Sequence, residues 1–453
     1  MSRRLARHAI SPPSFGPAFP YHVTGAGNRM ADVEYQSKSS AAARDRFIPV
    51  RKTDLLQALI DHGGLRSEEM TKFHRLARLL GAIYHYEYFD RLELLRNDYY
   101  YFNPDLPPGA PNDPARLARA HDELAATLVD VLTKADFVEL APDDVARSHQ
   151  ERHVLKVKIE IPTDDYREVR VFCRGHHRDT VEVAEWFGLR KRHVATDVYD
   201  NLVLMVMIKP VGEISKRVAH RLARKRLRPG TILLKYFRDV ARSDLSMLFP
   251  DVRVVLSQFD ILTLGLPAIA GGVPIILNLL PTISVLFAVA AIYLGFSGTV
   301  HEDDTRKALA ALSGLVALGG FLIRQWLKFK SQSLKYHKEI SDNVYFRNTN
   351  NNAGVLEAIV GTAEEQECKE AFLAYYFAAT AATPPTQDEL ERRIERWLKD
   401  TFRVAVAFEV GEALAKLERL KLLRRDGEKL AVPPLDAAQM ILDRAWGEFF
   451  PVS

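Results

Sequence analysis

The chain has 453 residues, more than one ordinary hydrophobic core holds, which predicts two or three domains. Its 47% hydrophobic and 26% charged residues exclude wholesale disorder, and its formal net charge of +4 is small and unevenly distributed. Two cysteines, Cys173 and Cys368, exclude a disulfide framework and favour reducing surroundings.

Residues 1–45 are predicted to form a disordered leader. The first part carries four arginines and no acidic residue, a composition typical of a transit peptide. Several prolines in the same stretch would break the amphipathic helix that such a peptide needs. We therefore favour a disordered leader, or an over-long start with Met30 as the true first residue.

Residues 46–110 are predicted to be a helical region. The stretches DLLQALI and TKFHRLARLLGAIYHYEYFDRLELLRNDYYYF place apolar residues at three- and four-residue spacing. The segment NPDLPPGAPNDP then ends the helical pattern, because prolines and glycine interrupt helices.

Residues 115–255 are predicted to be an α+β domain. Apolar and polar residues alternate between 151 and 209, which predicts a small antiparallel meander of about four strands. The segment CRGHHRD, which starts at Cys173, is interpreted as a turn. It resembles a zinc site in composition, but adjacent histidines rarely converge on one ion and a suitably spaced fourth ligand is missing. We predict no metal and no other cofactor.

A basic helix follows the predicted meander. Ile214, Val218 and Leu222 recur at four-residue spacing, and no acidic residue interrupts the basic ones. Near a membrane such a helix attracts anionic head groups, although a solvated helix face explains the pattern equally well and nucleic-acid binding ranks third. The candidate interaction residues here are Lys216, Arg217, Arg221, Arg224, Lys225, Arg226 and Arg228.

Residues 261–327 are predicted to be a membrane region. As one helix, the long uncharged stretch at its start would measure about 60 Å, twice the hydrocarbon core of a bilayer. We predict a two-span transmembrane hairpin, with spans at about 281–300 and 308–327 around the acidic turn HEDDTRK. A buried hairpin in a soluble core is the alternative, and a further crossing by 262–280 stays open.

The flanking charges predict the orientation of this region. Lysines and arginines lie before and after it, and the turn carries only Arg306 and Lys307. The positive-inside rule places both large polar parts on the cytoplasmic or matrix side. The predicted location is a bacterial cytoplasmic membrane, with the mitochondrial inner membrane as the alternative.

Residues 328–383 are predicted to be juxtamembrane helices with an asparagine-rich turn. Asn350, Asn352 and Gly354 tolerate left-handed backbone conformations and cap helices, and they are further candidate interaction residues. We interpret the stretch as a joint between the membrane region and the last domain.

Thr362 and Glu365 match the capping-box pattern, so a helix is predicted to begin at Thr362. Glu364 projects from the apolar face of that helix, where a carboxylate needs a partner or a raised pKa. A donor from another element is favoured over a role as a catalytic acid.

Residues 384–453 are predicted to form a winged-helix-like domain. Two helices precede a hairpin signalled by Asp426 and Gly427, and a third helix follows. The second helix carries both charges rather than a basic face, which favours protein contacts over DNA.

Several stretches resemble the transmembrane protein 143 family. They are RFIPVRKTDLL, LKYFRDVARSDLSMLFPDVRV, NTNNNAGVLEAIVGTAEEQECKEAFLAYY and FEVGEALAKLERLKLL, in the same order from about residue 45 to the end. The resemblance implies an uncharacterised membrane-anchored protein, mitochondrial in animals and with relatives in bacteria and plants. It implies no mechanism.

The predicted fold class is an α+β membrane protein with a helical N-terminal region, a small antiparallel sheet domain, a two-span transmembrane hairpin and a C-terminal winged-helix-like domain. The chain lacks a phosphate loop, a nucleophile elbow and a metalloprotease motif. We predict a binding or scaffold module at the membrane face, whose partners are the lipid bilayer, with anionic head groups, and proteins. An enzyme using Glu364 as acid or base, with Asn350 and Asn352 as polar neighbours, and a nucleic-acid binder are the alternatives.

Overall fold

A computed structural model describes residues 45–107, 113–142, 144–145, 158–185, 190–255 and 302–449, with four positions between 287 and 294. The helices are α1 (Lys52–Asp61), α2 (Ser67–Tyr99), α3 (Pro114–Lys134), α4 (Lys216–Arg224), α5 (Glu302–Arg347), α6 (Ala353–Ala379), α7 (Gln387–Phe402), α8 (Val410–Arg419) and α9 (Leu435–Phe449). The strands are β1 (Val138–Glu139), β2 (Lys158–Glu160), β3 (Tyr166–Glu185), β4 (Arg190–Ile208), β5 (Ile232–Ala241), β6 (Arg253–Val255), β7 (Asn348–Asn351), β8 (Arg424–Asp426) and β9 (Lys429–Ala431).

Three predictions fall on other residues. The predicted leader up to residue 44, the segment 262–280 and the first span at 281–300, apart from those four positions, lie outside the described residues.

An antiparallel five-stranded sheet forms the middle of the molecule, in the order β1-β3-β4-β5-β7. Its long central strands β3 and β4 pair from Glu185 with Arg190 to Tyr166 with Ile208, and the register shifts once, between Tyr166 and Glu168. The predicted turn CRGHHRD is wrong, because Cys173 and the residues after it continue β3. Gly175 lies within this paired stretch with φ +67°, a left-handed conformation that a glycine adopts without strain because it has no Cβ.

Both faces of the sheet are buried. Successive side chains of a strand point to opposite sides, so neighbouring residues of β4 belong to different cores. On β4, Val203 and Met205 face the helices, whereas Leu202 and Leu204 face a second core. This second core also holds Leu222 of α4. The molecule therefore has a helical layer, the sheet, and a smaller layer built on α4 and the turn after β5.

Helix α6 lies at the centre of the helical layer and contacts α1, α2, α3, α7 and α8. Its stretch from Gln366 to Ala378 is buried around the whole circumference, as expected of a helix surrounded by other helices. Helices α7, α8 and α9 share this same core with α2. The C-terminal segment is thus packed against the centre of the described body.

The C-terminal segment runs in the order α7, α8, β8, β9 and α9. Its hairpin pairs Asp426 with Lys429, so the two loop residues are Gly427 and Glu428, one position later than the predicted signal. Gly427 has φ +61°, which suits the first central position of a type II′ turn.

The predicted two-span transmembrane hairpin is wrong. Among the described residues one helix, Thr305–Lys328, is long and apolar enough to cross a bilayer. The acidic segment interpreted as a turn is the first turn of α5, where carboxylates favour a helix start because they face the positive end of the helix dipole. Beyond Lys328 the sequence has no proline or glycine, so the same helix continues to Arg347.

Candidate functional site

The apolar half of α5 is exposed on the described body. The most apolar 18 residues of its segment Thr305–Lys328 have a mean hydropathy of 1.5, and 6% of that stretch is buried. The exposed large apolar side chains are Leu309, Leu312, Val316, Leu322, Ile323, Trp326 and Leu327. A core helix of a globular protein would bury such residues. Within the described residues this surface is uncovered, which makes it a candidate site of contact with an apolar phase.

The other end of α5 is fixed to the sheet. Val344 packs against the second core, and Arg347 Nη1 donates to Asp244 Oδ2 at 3.1 Å. The chain then enters β7 directly, where Asn350 pairs with Tyr236 of β5. The helix therefore projects from the same layer that contains α4.

The basic residues of the segment 216–228 separate into two groups. Arg221 Nε donates to Asp251 Oδ2 at 2.7 Å, and Lys225 Nζ lies 2.6 Å from Asp251 Oδ1. Arg228 donates to the carbonyl oxygens of Asn103 and Pro104. These three side chains stabilise the fold.

The remaining basic residues of this segment are exposed, and no described carboxylate lies within ion-pair distance of them. They are Lys216, Arg217, Arg224 and Arg226, which we call the α4 basic face. Four of the seven basic residues predicted for interaction are thus exposed, three of them on α4 and Arg226 just after it.

The asparagine-rich stretch is an edge strand, and the predicted turn is wrong. Of its asparagines only Asn352, which follows β7 directly, has a positive φ, +50°. Its N–H donates to Leu234 O at 2.8 Å, and its side-chain amide donates to Asp105 Oδ2 at 2.9 Å. Gly354 follows in the first turn of α6, where an added Cβ would meet Asn350 Nδ2 at 3.6 Å, an ordinary contact. Asn352 therefore positions the start of α6 against the sheet.

The predicted capping box is also wrong. Helix α6 begins at Ala353, so Thr362 lies in its interior, where its hydroxyl donates to Ala358 O at 2.8 Å. Glu365 accepts from the backbone N–H of Lys52 at 3.0 Å and lies 3.8 Å from Lys369 Nζ. Its carboxylate thus caps α1 instead of the start of its own helix.

Glu364 contacts side chains of two other helices, His85 of α2 and the cation Lys52 of α1. Its carboxylate lies 3.0 Å from His85 Nδ1 and 3.9 Å from Lys52 Nζ, and its side chain is 17% exposed. Asn352 is separated from it by twelve positions of α6, about 18 Å along the axis. The structure does not bring Glu364 together with Asn350 and Asn352.

A buried polar cluster that the sequence reasoning missed lies between α6 and α8. Its members are Gln366, Glu367, Lys369, Glu370 and Lys416, all nearly inaccessible to solvent. Lys416 Nζ lies 2.5 Å from Glu370 Oε2 and 3.1 Å from Glu367 Oε1. Burial acts to lower the pKa of Lys416, but the two carboxylates outweigh it and raise that pKa above its ordinary value.

The segment that precedes α1 crosses over this polar cluster. Gln366 Oε1 accepts from the N–H of Ile48 at 3.2 Å, and Lys369 Nζ donates to Ile48 O at 2.7 Å. The ring of Phe47 lies between two cations, 4.6 Å from Lys369 Nζ and 3.7 Å from the guanidinium carbon of Arg174. Burial lowers the pKa of Lys369 to about 8.

Asp136 lies beside the same cluster at the end of α3. Its Oδ2 atom is buried and has no hydrogen-bond partner among the described residues. Burial, together with the nearby carboxylates of Glu370 and Asp45, raises the pKa of Asp136 to about 7. A carboxyl group that titrates near neutrality could respond to physiological pH.

The sequence signal for the polar cluster was present but ambiguous. Glu367, Lys369 and Glu370 interrupt an apolar stretch of the helix, and the main partner of the two glutamates, Lys416, lies 46 residues after Glu370. No cluster of three or more His, Cys, Asp or Glu residues in the described ranges could hold a metal ion. The arrangement can hold protons and fix helices to each other; the predicted absence of a cofactor stays a prediction.

A family model described as "Protein of unknown function (DUF3754)" matches residues 199–354, about a third of the chain. The chain carries a domain of unknown function. The match runs from the second half of β4 through α4, β5, α5 and β7 to the start of α6, so it covers one side of the sheet and the helix that projects from it, but not β1 or β3. No solved structure matches this chain. The resemblance to the transmembrane protein 143 family stays a prediction.

Proposed function

We propose that this protein is a membrane-attached binding or scaffold module whose partners are the lipid bilayer and other proteins. The observation that carries the proposal is the exposed apolar surface of Thr305–Lys328. A contiguous apolar surface of this size marks an interaction site, and a segment of 24 residues is long enough to match the hydrocarbon core of a bilayer.

The strands before and after α5 belong to one folded body. β5 precedes α5 in the chain and β7 follows it, yet the two strands pair in the same sheet. Helix α6 likewise packs on α2. The polar segments before and after α5 therefore lie on the same side of any bilayer that its apolar half contacts.

The charges around the apolar segment support a cytoplasmic or matrix position for this body. Arg324, Lys328 and Lys330 lie at the end of the segment nearest the sheet or just beyond it, whereas Arg306 and Lys307 are the basic residues at its far end. The positive-inside rule places the lysine-rich end inside. We propose a bacterial cytoplasmic membrane, or the mitochondrial inner membrane if the source is a eukaryote.

Helix α5 also sets the distance between the body and the membrane. From Lys328 to Arg347 the helix continues as a polar segment of about 30 Å. A body presented on such a spacer is accessible to other proteins from all sides. Because Lys416 points into the core and Arg419 pairs with Glu87, α8 offers no free basic recognition face to DNA, which supports protein partners over nucleic acid.

The test is membrane fractionation with alkaline carbonate extraction of the full chain. Val316 and Ile323 are 69% and 60% exposed, so the V316R/I323R variant loses little packing. Each arginine at the centre of a bilayer costs about 3 kcal/mol, so we expect the variant to move largely to the soluble fraction. The control S331R/L334R, which alters exposed residues of the same helix beyond the apolar segment, should stay in the membrane. A soluble wild type, or equal behaviour of both variants, would reject the proposal.

A protease-protection experiment tests the orientation separately. A C-terminal tag should be protected in right-side-out vesicles and cleaved in inverted ones. Cleavage in right-side-out vesicles would contradict the proposed cytoplasmic or matrix position without affecting membrane attachment.

A further inference from the structure

A groove between α1 and α2 is open on the surface of the helical layer. It encloses about 810 Å³, and its floor is apolar: Ile60, Met70, Leu79 and Ala82. His74, Arg75 and Arg78 form its rim and are exposed. From Met70 to Ala82 the groove follows α2 for about 18 Å, the length of roughly three helical turns.

The rim residues differ from the other basic residues of α2. Lys72 pairs with Asp436, Arg91 with Asp130, and Arg96 with Glu357. In contrast, His74, Arg75 and Arg78 have no carboxylate partner among the described residues. The sequence of α2 also has no Asp or Glu between Glu69 and Glu87. The groove therefore combines an apolar floor with the unpaired positive charge of Arg75 and Arg78.

The position of the groove argues against a lipid ligand. Helix α2 belongs to the helical core, whereas Val344 at the base of α5 packs in the second core on the opposite face of the sheet. The groove thus lies on the side of the body away from the base of the membrane-attachment helix. The arginine-rich start of this chain, which has no acidic residue before Asp32, has the wrong charge to occupy the groove.

We propose that the α1–α2 groove docks an acidic amphipathic helix of a partner protein. Apolar residues of that helix, spaced at i, i+3, i+4 and i+7, would contact the floor, and its flanking Asp or Glu residues would pair with His74, Arg75 and Arg78. This docking proposal rests on the proposed scaffold function and specifies the chemistry of its protein partner.

The test is selection of displayed helical peptides on the full chain in detergent. The library carries apolar residues at the four spaced positions and random residues at the flanking ones. We expect enrichment of Asp and Glu at the flanks. Affinity of the enriched peptides should fall about tenfold for R75E/R78E, because charge reversal at an exposed rim turns attraction into repulsion.

Two further variants separate charge, shape and folding. A82W fills the floor without changing charge and should also weaken the same peptides. R396E/K399E reverses two exposed basic residues of α7 that have no described partner, and it should leave peptide affinity within about twofold of the wild type. Thermal unfolding of all three variants in detergent shows whether each is folded before its affinity is interpreted.

Four outcomes would overturn the proposal. They are enrichment without acidic flanks, peptide binding that survives R75E/R78E, self-association of the chain that R75E/R78E abolishes, and binding to phosphatidylserine vesicles that R75E/R78E abolishes. The V316R/I323R variant keeps the groove intact, so loss of membrane attachment and loss of peptide binding are measured independently.

Discussion

Lys416 Nζ lies 3.1 Å from Glu367 Oε1, inside the contact between α8 and α6. The same ammonium group also bonds Glu370, so one cation compensates two buried carboxylates. The stability of a buried ion pair depends on all its members, because removing one partner leaves the other as an uncompensated charge. This contact joins the C-terminal segment to the centre of the described body.

We expect K416M to destabilise the protein by about 4 kcal/mol, because it leaves Glu367 and Glu370 buried without a cation. Thermal or denaturant unfolding of the detergent-solubilised chain measures the loss. The control K399M changes an exposed lysine of α7 and should be nearly neutral. Adding E367Q and E370Q to K416M should recover most of the loss. If the triple variant is no more stable than K416M, packing rather than charge dominates the contact.

The pKa of Asp136 predicts how stability depends on pH. Its folded value of about 7 lies above the ordinary 3.8, so the folded state holds the proton more tightly than the unfolded state. The resulting stabilisation is complete below about pH 4 and is lost as the pH rises through about 7. The charged groups that affect this pKa are Glu370, Asp45, Lys416 and Arg174.

We therefore expect D136N to raise the free energy of unfolding by about 2 kcal/mol at pH 8 and to flatten its dependence on pH between about 4 and 7. Asparagine also tolerates the positive φ of +60° at this position. The control D443N alters an exposed aspartate of α9 and should leave the pH profile unchanged. A profile that D136N does not alter would assign the pH dependence to another group.

The sequence was informative where periodicity is local. The alternation before residue 209 predicted antiparallel strands, and β4 indeed buries Val203 and Leu204 on opposite faces of the sheet. The sequence misled where the same residue pattern occurs both at the start of a helix and inside one. Thr362 and Glu365 fit a capping box, yet the helix starts nine residues earlier because Asn352, held by the sheet, positions its first turn.

The partners of the candidate site could not be read from the sequence. Glu364 meets His85 across 279 positions, and Ile48 bonds Gln366 across 318. Such contacts depend on the tertiary arrangement of α6, which local propensity does not encode. The full length of α5, from Glu302 to Arg347, was not predicted for a simpler reason. Composition shows which part of a helix is apolar, but it does not show where the helix ends.

The E364Q variant distinguishes a structural carboxylate from a catalytic one. Glu364 pairs with His85 and Lys52 at the edge of the core, so we expect a loss of about 1 kcal/mol in unfolding free energy. The control E357Q alters a more exposed carboxylate of the same helix that pairs with Arg96, and it should cost less. Complementation of a deletion strain by E364Q is expected to be normal. A folded E364Q protein without complementation would revive the enzyme hypothesis.

The α4 basic face tests whether the body touches the membrane. Helix α4 shares the second core with Val344, near the base of α5, and the polar part of α5 holds this base about 30 Å from the apolar segment. At physiological salt the Debye length is about 8 Å, so an upright α5 leaves these charges screened from anionic head groups.

We therefore expect a variant with Lys216, Arg217, Arg224 and Arg226 changed to glutamate to bind phosphatidylserine-containing vesicles within about twofold of the wild type, because α5 supplies the attachment. Vesicle flotation in 150 mM salt measures this binding, because the Debye length is about 8 Å at that ionic strength. The control variant V316R/I323R should lose flotation. If the glutamate variant instead loses flotation at this salt concentration, α5 lies tilted, and the α4 basic face binds the head groups as the sequence first suggested. A loss seen only at low salt would leave the upright arrangement in place, because the range of the interaction grows as screening falls.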